Sequence, residues 1–445
     1  MVHRNLSIKI SLIETEEQGF YLCSFVIFSL GGKMKLVWDI TNQCNLNCKH
    51  CGANNSHSKW NLPKKNAIKF IDNVKEYVDE VDILGGEPLF YPHIFDVIEK
   101  LVLEKKKINI ITNGQFESSV AKNLLKYPIK SIFVSFEGLE PENDLIRGKG
   151  SWNKAIIFLK NLLDERKNKL TFIGVNIVIN KINKNKLLPI IDFFDNLMVD
   201  YIQFNPLFYD GNAEINKSDL YLSEEEKLDA YEIIAEKHAG LTFSKLLLNS
   251  EYPLINRYLN LKYGTSFQVS VSECGAFVDS FFSNNQGIIY PCRKYATKKH
   301  IETIDLFEKQ IYQFQDFLSI SCIPTERKCL DCEFQPNCHP CPLNPSTETP
   351  IICKLVKNRM DKIDLKNKSF SIRKGSVFVE KNDHYFGYFP RLEYKTEYTK
   401  EGYNILKLCE RGFNTAEISE LSKIPFNDVI TFLLQENKKG KVTME

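Results

Sequence analysis

Residues 41–52 read Thr-Asn-Gln-Cys-Asn-Leu-Asn-Cys-Lys-His-Cys-Gly, which places Cys44, Cys48 and Cys51 at a C-x3-C-x2-C spacing. Three thiolates in so short a loop can converge on one cubane iron-sulfur cluster, because thiolates are the preferred protein ligands of such clusters. A 4Fe-4S cluster has one iron more than this loop has cysteines. The remaining iron is therefore left open, and an open position on a metal is where substrate chemistry can take place.

Two other interpretations of this loop stay open at the level of sequence. One is a structural zinc site completed by His50 or His57, and the other is a set of unrelated buried thiols. The 445 residues contain 13 cysteines, an odd number that falls mainly in two clusters. On a long chain this distribution favours intracellular metal binding over a secreted disulfide framework.

The overall composition is that of a soluble protein with two or three domains. The formal net charge is +2, which gives no reason to expect a nucleic acid or an anionic membrane as partner. The longest apolar run, residues 20–30, is about half as long as a bilayer-spanning helix, and acidic residues precede it. We therefore expect a cytoplasmic protein that binds neither nucleic acid nor membrane.

Residues 1–33 are an N-terminal extension ahead of the first predicted strand. Gly31 and Gly32 precede Met34, and two glycine codons can encode a purine-rich ribosome-binding site, so Met34 is a candidate for the natural start. The alternative is an N-terminal strand pair packed on the sheet. Mass spectrometry of the native N-terminus separates the two, because a native chain that begins at Met1 excludes the first.

From residue 34 to about residue 210, short β-branched or aromatic runs alternate with helical patterns, which predicts βα units and a parallel sheet. The predicted helices include Pro63–Val78 and Trp152–Lys167. The predicted strands are Leu36–Ile40, Val81–Leu84, Ile108–Thr112, Ser131–Phe136, Leu170–Ile179 and Tyr201–Phe204. Six such units make an α/β fold, a partial (β/α)6 TIM-like barrel, whose active site should lie at the carboxyl ends of the strands.

Three further strand ends of this predicted barrel carry polar motifs. Gly85-Gly86-Glu87-Pro88 follows the second strand, Asn113 follows the third, and Ser135 and Glu137 end the fourth. Paired glycines let a ligand approach the backbone closely. Each motif alone is typical of an ordinary turn, but together with the cysteine loop they form one edge of polar groups suited to a ribose or an amino acid.

The order and distances of these motifs resemble those of radical S-adenosylmethionine (SAM) enzymes. Members of that family bind SAM on the open iron through its amino and carboxylate groups. A reduced cluster then cleaves it to methionine and a 5′-deoxyadenosyl radical, which removes a hydrogen atom from the substrate. The resemblance implies SAM and a 4Fe-4S cluster as cofactors of this chain.

The resemblance also implies a role for each motif. The three cysteines of the loop would hold the catalytic cluster, and the Gly85–Pro88 loop would receive the methionine ammonium group. Ser135 and Glu137 would lie near the ribose, although many relatives have aspartate at the second position, and Asn113 would be a further cofactor contact.

Residues 50 and 147 complete the implied site. Residue 50 is usually aromatic in the family and approaches the adenine, whereas this chain has His50, which weakens stacking. Arg147 lies in a run, residues 144–152, that resembles the subgroup with extra clusters, where it would serve a carboxylate. The alternative for Arg147 is a helix-capping or surface arginine.

A second field of cysteines lies in the last third of the chain. Residues 211–270 before it read as a helical bridge without chemistry, with a capping signature at residues 223–226 for a helix to about His238. The field comprises Cys274, Cys292, Cys322, Cys329, Cys332, Cys338, Cys341 and Cys353. Its proline-rich loops call for metal clusters rather than a hydrophobic core, with zinc ribbons as the alternative.

Residues 271–357 resemble the SPASM domain, an accessory domain of radical SAM enzymes that carries up to two auxiliary iron-sulfur clusters, here expected to be 4Fe-4S. The final spacing of its central motif is one residue shorter here than is usual in that domain. The resemblance assigns Cys274, Cys292 and Cys341 to one cluster and Cys329, Cys332, Cys338 and Cys353 to the other. Cys322 is a candidate fourth ligand of the first cluster.

The tail, residues 366–445, reads as a small winged-helix-like domain with a hairpin followed by three helices. Its second helix, with Glu417 and Glu420, is not basic, which argues against DNA binding. The tail resembles small peptide-recognition domains of peptide-modifying enzymes, which capture a leader peptide as an added strand.

These features together predict a maturase of ribosomally made peptides (RiPPs). The leader would dock on the tail, the deoxyadenosyl radical would abstract hydrogen from the core, and a thioether or other crosslink would form. An electron donor such as flavodoxin or ferredoxin would reduce the cluster. The alternatives are a sulfatase-maturase-like or haem-pathway-like enzyme and, from another class, an iron-sulfur redox sensor that binds DNA. The intact Gly-Gly-Glu-Pro loop disfavours the sensor.

Overall fold

The computed structural model describes residues 34–52, 61–166, 171–238, 240–250, 252–267, 279–290, 292–296, 304–305, 351–360, 369–372, 376–381, 384–388, 395–438 and 442–444. The N-terminal extension lies outside these ranges. So do six cysteines of the second field, namely Cys274, Cys322, Cys329, Cys332, Cys338 and Cys341. Their roles stay predictions.

Seven parallel strands follow one another in space as they do along the chain. They are β1 (Met34–Asp39), β2 (Val78–Leu84), β3 (Lys107–Thr112), β4 (Ser131–Phe136), β5 (Phe172–Val178), β6 (Tyr201–Asn205) and β7 (Lys245–Leu248). The helices of this part are α1 (Lys64–Val74), α2 (Ile94–Leu103), α3 (Ser118–Leu124), α4 (Glu140–Arg147), α5 (Ser151–Glu165), α6 (Leu187–Asn196), α7 (Asn212–Ile215), α8 (Lys217–Leu220), α9 (Glu224–His238) and α10 (Pro253–Tyr263). The alternation confirms the predicted α/β fold with a partial TIM-like barrel.

The sheet continues beyond β1 into the second cysteine field. Strand β8 (Ser280–Ser283) pairs parallel with β1, and β9 (Ile288–Tyr290) returns antiparallel beside β8, so that the two form a hairpin. The two-residue strand β10 (Ile304–Asp305) pairs with β9, and the sheet has ten strands in the order β10-β9-β8-β1-β2-β3-β4-β5-β6-β7. Two helices follow, α11 (Arg293–Ala296) and α12 (Ile351–Met360).

The two faces of the sheet differ in chemistry. The outer face packs on the helices, where the Phe136 ring centroid lies 5.2 Å from that of Trp152 and 5.0 Å from that of Phe194. Burial of each such side chain contributes roughly 2 kcal/mol. The inner face carries polar side chains, as where the Asn109 amide donates to Asp82 at 2.7 Å. The inner face is therefore able to bind a polar ligand.

Two features differ from the sequence prediction. Helix α1 ends at Val74 rather than at Val78, because Val78 already begins β2 and pairs with Met34 of β1. The bridge, residues 211–270, is not helical throughout, because it contributes β7 to the sheet. A run as short as Lys-Leu-Leu-Leu does not distinguish a helix from a strand by its pattern alone.

An ionic network on the helical side joins α9, α10 and α12. Glu232 of α9 accepts hydrogen bonds from Lys262 of α10 at 2.8 Å and from Arg359 of α12 at 2.8 Å, and Tyr258 donates to it as well. Burial raises the pKa of Glu232, but these hydrogen bonds outweigh it and lower the pKa to about 2. The network fixes α12, which carries Cys353, on the barrel helices.

The lowered pKa of Glu232 predicts a dependence of stability on acid. The ionised carboxylate stabilises the fold above its ordinary pKa of 4.5, and that contribution is lost as the pH falls towards 2. We expect Glu232→Gln to lower the melting temperature at pH 7 and to flatten its decline between pH 4.5 and pH 2. Exposed Glu236 on the same helix gives the control variant, Glu236→Gln. Equal acid slopes for the wild type and Glu232→Gln would contradict the assignment.

The described part of the tail contains two small sheets and three helices. Strands β11 (Phe370–Ile372) and β15 (Val442–Met444) pair with each other, and β12 (Val377–Lys381), β13 (His384–Tyr388) and β14 (Lys395–Tyr398) form a three-stranded antiparallel sheet. The helices are α13 (Lys400–Glu410), α14 (Thr415–Ser422) and α15 (Phe426–Lys438). The predicted hairpin and all three helices are confirmed, including a capping box between Asn414 and Glu417.

Among the described residues, no helix is both long and apolar enough to cross a membrane.

Candidate active site

The cysteine loop follows β1 at the carboxyl edge of the sheet. Cys48 is buried, and Cys44 and Cys51 are partly exposed. The Leu46 N–H donates to the Cys44 sulfur at 3.4 Å, and the Asn113 amide lies 3.6 Å from the same sulfur. Burial raises the pKa of the Cys44 thiol and raises that of Cys48 to about 12. Bound iron cations favour the thiolate, so a cluster would offset this cost of burial.

The Gly85–Pro88 loop packs against the start of the cysteine loop. The Gly86 N–H donates to the Thr41 carbonyl at 2.7 Å, and the Glu87 N–H donates to the Gln43 carbonyl at 2.7 Å. Gly85 has a φ of +140°, and a Cβ added there would lie 2.3 Å from the Thr41 oxygen. Both glycines are therefore needed for the close approach of the two loops.

A methyl group at Gly86 is expected to disturb the cysteine loop. A Cβ at this position would lie 2.4 Å from the Gln43 carbonyl oxygen, one residue before Cys44. We expect Gly86→Ala to lower the iron content after anaerobic reconstitution by about 4 atoms per chain, one cluster. The control is Gly240→Ala, whose Cβ would meet only the Lys237 oxygen, at 3.7 Å. Unchanged iron content in Gly86→Ala would show that the loops tolerate separation.

Glu87 joins the ends of β2 and β3. One carboxylate oxygen accepts from the Thr112 hydroxyl at 2.7 Å and from the Leu89 N–H at 3.1 Å, and the other accepts from the Asn113 N–H at 2.6 Å. Burial raises the pKa of Glu87 to about 7. Both oxygens are engaged within the protein, so the carboxylate holds the loop rather than lying open to a ligand. The Asn113 amide also donates to Asn45 at 2.8 Å and braces the cysteine loop.

Glu137, at the end of β4, is fully buried and links four parts of the site. One oxygen accepts from Arg147 Nη2 at 2.6 Å and Nε at 3.2 Å, and His50 Nε2 lies 3.2 Å from it. The other oxygen accepts from the Val178 N–H at 3.2 Å. Arg147 is 8% exposed, so the surface alternative for this arginine is wrong. The resemblance implies a place near the ribose for Glu137, whereas here its oxygens bind neighbouring residues.

His50 carries a buried ring nitrogen without a hydrogen-bond partner among the described residues. Burial lowers the pKa of His50 well below its ordinary value, so the ring is neutral. In the tautomer that carries the proton on Nε2, the atom 3.2 Å from Glu137, the buried Nδ1 is an acceptor that lacks a donor. The exocyclic amine of an adenine is such a donor. The site therefore fits SAM on this observation.

Ser135 and Arg147 keep polar groups for a ligand as well. Ser135 lies on the inner face of the sheet and is 8% exposed. Within the described ranges its hydroxyl makes no hydrogen bond, and the Nη1 group of Arg147 makes none either. A hydroxyl and two guanidinium N–H donors thus remain at the carboxyl edge of β4 and at the end of α4.

The loop after β6 holds the cysteine loop from the other side, and sequence reasoning missed it. Asn212 donates through its backbone N–H to the Cys51 carbonyl at 2.9 Å and through its side chain to the Cys48 carbonyl at 3.1 Å. Gly211, with a φ of +57°, would place a Cβ 2.9 Å from the Cys51 oxygen. The sequence predicts a bridge without chemistry for this stretch. Its position could have identified it, because Gly211 follows the sixth strand and therefore lies at the carboxyl edge of the sheet, where the cysteine loop also lies.

Two cysteines of the second field, Cys292 and Cys353, belong to described segments. Arg293, next to Cys292, forms a 3.0 Å ion pair with Asp39 at the end of β1. Within the described ranges no group of three Cys, His, Asp or Glu side chains could hold a single metal ion. A cubane cluster takes each thiolate on a different iron, so this finding does not bear on a cluster. His57 of the zinc alternative lies outside the described residues, and that alternative stays a prediction.

The fold and the site define an α/β barrel protein with a three-cysteine loop, a paired-glycine loop and a buried Glu-Arg pair at one edge. Residues 38–194 match the Radical SAM superfamily, and the chain therefore carries a radical SAM domain. A radical SAM domain implies SAM and a 4Fe-4S cluster as cofactors. The match ends before β6, so the rest of the chain lies outside it.

Three curated relatives carry different activities. The Fe-coproporphyrin III synthase of Methanosarcina barkeri is 28% identical over 47% of this chain and 53% of its own length. The probable GTP 3′,8-cyclase of Methanocaldococcus jannaschii is 30% identical over 38% of this chain and 58% of its own length. The mycofactocin maturase MftC of Mycobacterium tuberculosis is 26% identical over 45% of this chain and 52% of its own length. The chain thus spans little more than half the length of these relatives.

A solved structure extends the likeness beyond the matched domain. Streptococcus suis SuiB bound to the precursor peptide SuiA has a TM-score of 0.57 at 20% identity, over 69% of this chain and 71% of SuiB. At this identity the likeness establishes the fold. It covers more of this chain than the matched domain does.

Proposed function

We propose that the protein is a radical SAM maturase that modifies a ribosomally made precursor peptide. The observation that carries the proposal is the convergence of the cysteine loop, the paired-glycine loop and the Glu137–Arg147 pair at one edge of the barrel. When bound, SAM and the reduced cluster supply a 5′-deoxyadenosyl radical that abstracts hydrogen. The chain's own residues bind and orient the cofactor and the peptide.

Each side of the SAM site has a proposed role. The backbone of the Gly85–Pro88 loop takes the ammonium group, because the Glu87 carboxylate is turned inward to the end of β3. Arg147 takes the carboxylate through its remaining N–H donors, and Ser135 takes a ribose hydroxyl. His50 Nδ1 accepts from the adenine amine. These assignments leave no buried polar atom of His50 without a partner.

The peptide substrate is supported by two comparisons and by the tail. SuiB binds a precursor peptide, and MftC is a maturase. In the tail, β12 is an edge strand of its sheet, with Val377 55% and Val379 38% exposed. An edge strand with exposed apolar side chains can take an extended leader peptide as a further strand.

The auxiliary clusters are part of the proposal. Cys274, Cys292, Cys341 and the candidate Cys322 would hold one, and Cys329, Cys332, Cys338 and Cys353 the other. Three 4Fe-4S clusters correspond to about 12 iron atoms per chain. An electron donor of the flavodoxin or ferredoxin type would reduce the catalytic cluster. The GTP cyclase and coproporphyrin synthase relatives define the competing activities.

The test is anaerobic reconstitution followed by incubation with SAM and dithionite, with 5′-deoxyadenosine as the readout. We expect product from the wild type and none from the Cys44→Ala/Cys48→Ala/Cys51→Ala variant, whose iron content falls by about 4 atoms. The matched control is Cys409→Ala, a buried thiol of the tail. No product from a fully iron-loaded wild type would reject the catalytic proposal and favour a redox sensor.

A further inference from the structure

A row of side-chain amides crosses the inner face of β5, β6 and β7. Asn205, the last residue of β6, donates through its Nδ2 to the Asn176 oxygen at 2.5 Å. Asn249, which follows β7, donates to the Asn205 oxygen at 2.7 Å, and Gln203 donates to the same oxygen at 3.3 Å. We call these four side chains the amide row. Its members come from β5, from β6, which contributes two of them, and from the residue after β7, and they are held in line by one another.

The amide row faces the open side of the sheet. Its members alternate with Ile177, Phe204 and Leu248, which are buried under the outer helices. Asn176 and Asn205 are half-buried, and Asn249 is exposed. Because side chains alternate between the two faces of a strand, the row points away from the helices and into the barrel.

The row begins beside the proposed SAM site. Asn176 of β5 pairs in register with Ser135 of β4, and Asn176 in turn pairs with Gln203 of β6. From Ser135 the polar groups therefore run strand by strand to β7, the edge of the described sheet. A molecule bound along the row would lie next to the place where hydrogen abstraction is proposed.

The hydrogen-bonding capacity of the row is only partly used within the protein. The Asn205 oxygen accepts two hydrogen bonds, but the Asn176 amide N–H groups and the Asn249 oxygen make none among the described residues. The row thus offers donors at one end and an acceptor at the other. A peptide backbone, with one N–H and one C=O per residue, matches this pattern.

Charge argues against an anionic occupant. The carboxyl halves of β5, β6 and β7 present Asn176, Gln203, Asn205 and Asn249 inward and no charged side chain, and Lys245 lies at the amino end of β7. Phosphates and carboxylates are bound in proteins mainly by arginine and lysine. Within the described ends of these three strands, a nucleoside triphosphate or a carboxylated tetrapyrrole would find no arginine or lysine.

We propose that the amide row is a binding site for an uncharged stretch of polypeptide, held through its backbone amides beside the SAM site. The proposal rests on the proposed function for the identity of the substrate as a peptide. It adds the place in the barrel where the modified segment lies and the chemistry that selects it. Docking of a leader on the tail is a separate contact.

The test uses the reconstituted full chain with SAM and a random hexapeptide pool that is acetylated and amidated. Peptides retained in equilibrium dialysis are identified by mass spectrometry. We expect the wild type to enrich peptides without charged residues at least threefold over the input. Asn205→Asp, which keeps the shape but adds a negative charge, should enrich peptides with lysine or arginine at least threefold instead. The control Asn153→Ala, on exposed α5 surface, should behave as the wild type.

Two results would overturn the proposal. One is an unchanged peptide selection in Asn205→Asp that retains wild-type iron content and circular dichroism. The other is retention of GTP or coproporphyrin III by the wild type together with its loss in Asn205→Asp. A third result separates the two proposals. If the wild type selects uncharged peptides and Asn205→Asp selects basic ones, but no 5′-deoxyadenosine forms, the proposed function is rejected and the amide row is supported as a peptide-binding site.

Discussion

Replacement of Glu137 by leucine is expected to lower the free energy of unfolding by about 3–5 kcal/mol, because it leaves the buried Arg147 guanidinium without its counter-charge. The same change removes the partner of His50 and the acceptor of the Val178 N–H. Urea denaturation of the metal-free protein under anaerobic conditions measures the effect.

The double variant Glu137→Leu/Arg147→Met tests whether the loss of stability comes from the unpaired arginine. It replaces both charges by apolar groups, and a buried ion pair replaced in this way often costs little stability. We expect it to recover about half or more of the loss seen in Glu137→Leu. A double variant less stable than the single one would show that the arginine is held by contacts other than Glu137.

The second large effect concerns SAM affinity, and it rests on the proposed function. Arg147→Met removes a charged hydrogen-bond donor to the SAM carboxylate, an interaction worth about 1.5–3 kcal/mol. We therefore expect the dissociation constant for SAM to rise roughly 10- to 150-fold. Equilibrium dialysis of SAM against the reconstituted protein with an oxidised cluster, which does not cleave SAM, measures it independently of turnover.

The matched control for this experiment is Arg166→Met. Arg166 also pairs with a carboxylate, that of Asp200, but it lies at the amino end of the strands, away from the cysteine loop. Both variants lose one partly or fully buried arginine. If the two raise the dissociation constant for SAM equally, the effect comes from general destabilisation and the assignment of Arg147 to the carboxylate is wrong.

Much of the fold was predictable because its signals are local. The six predicted barrel strands occur within a few residues of their predicted bounds, and Ser223 and Glu226 of the predicted capping signature do cap α9. The seventh strand and the parallel pairing of β8 with β1 were not predictable. They depend on contacts between segments far apart in the chain, which periodicity does not report.

The candidate site also has a part that the sequence predicts and a part that it does not. The cysteine spacing and the paired glycines identify their loops, because cluster binding requires the thiols and the close approach of the two loops requires the glycines. The inward turn of the Glu87 carboxylate and the contact between His50 and Glu137 could not be deduced, since side-chain partners depend on the packed geometry. Asn212 was missed because an asparagine after a strand is typical of any turn.

The pairing of β1 with β8 has a consequence for the order of events during synthesis. Lys35 lies opposite Ser280, so one side of β1 stays an open strand edge until about two thirds of the chain has left the ribosome. Contacts between such distant segments form late. The contacts that hold the cysteine loop come from residues 86–212, so we expect the loop to be in place, and able to take up iron, while the side of β1 that faces β8 is still an open edge.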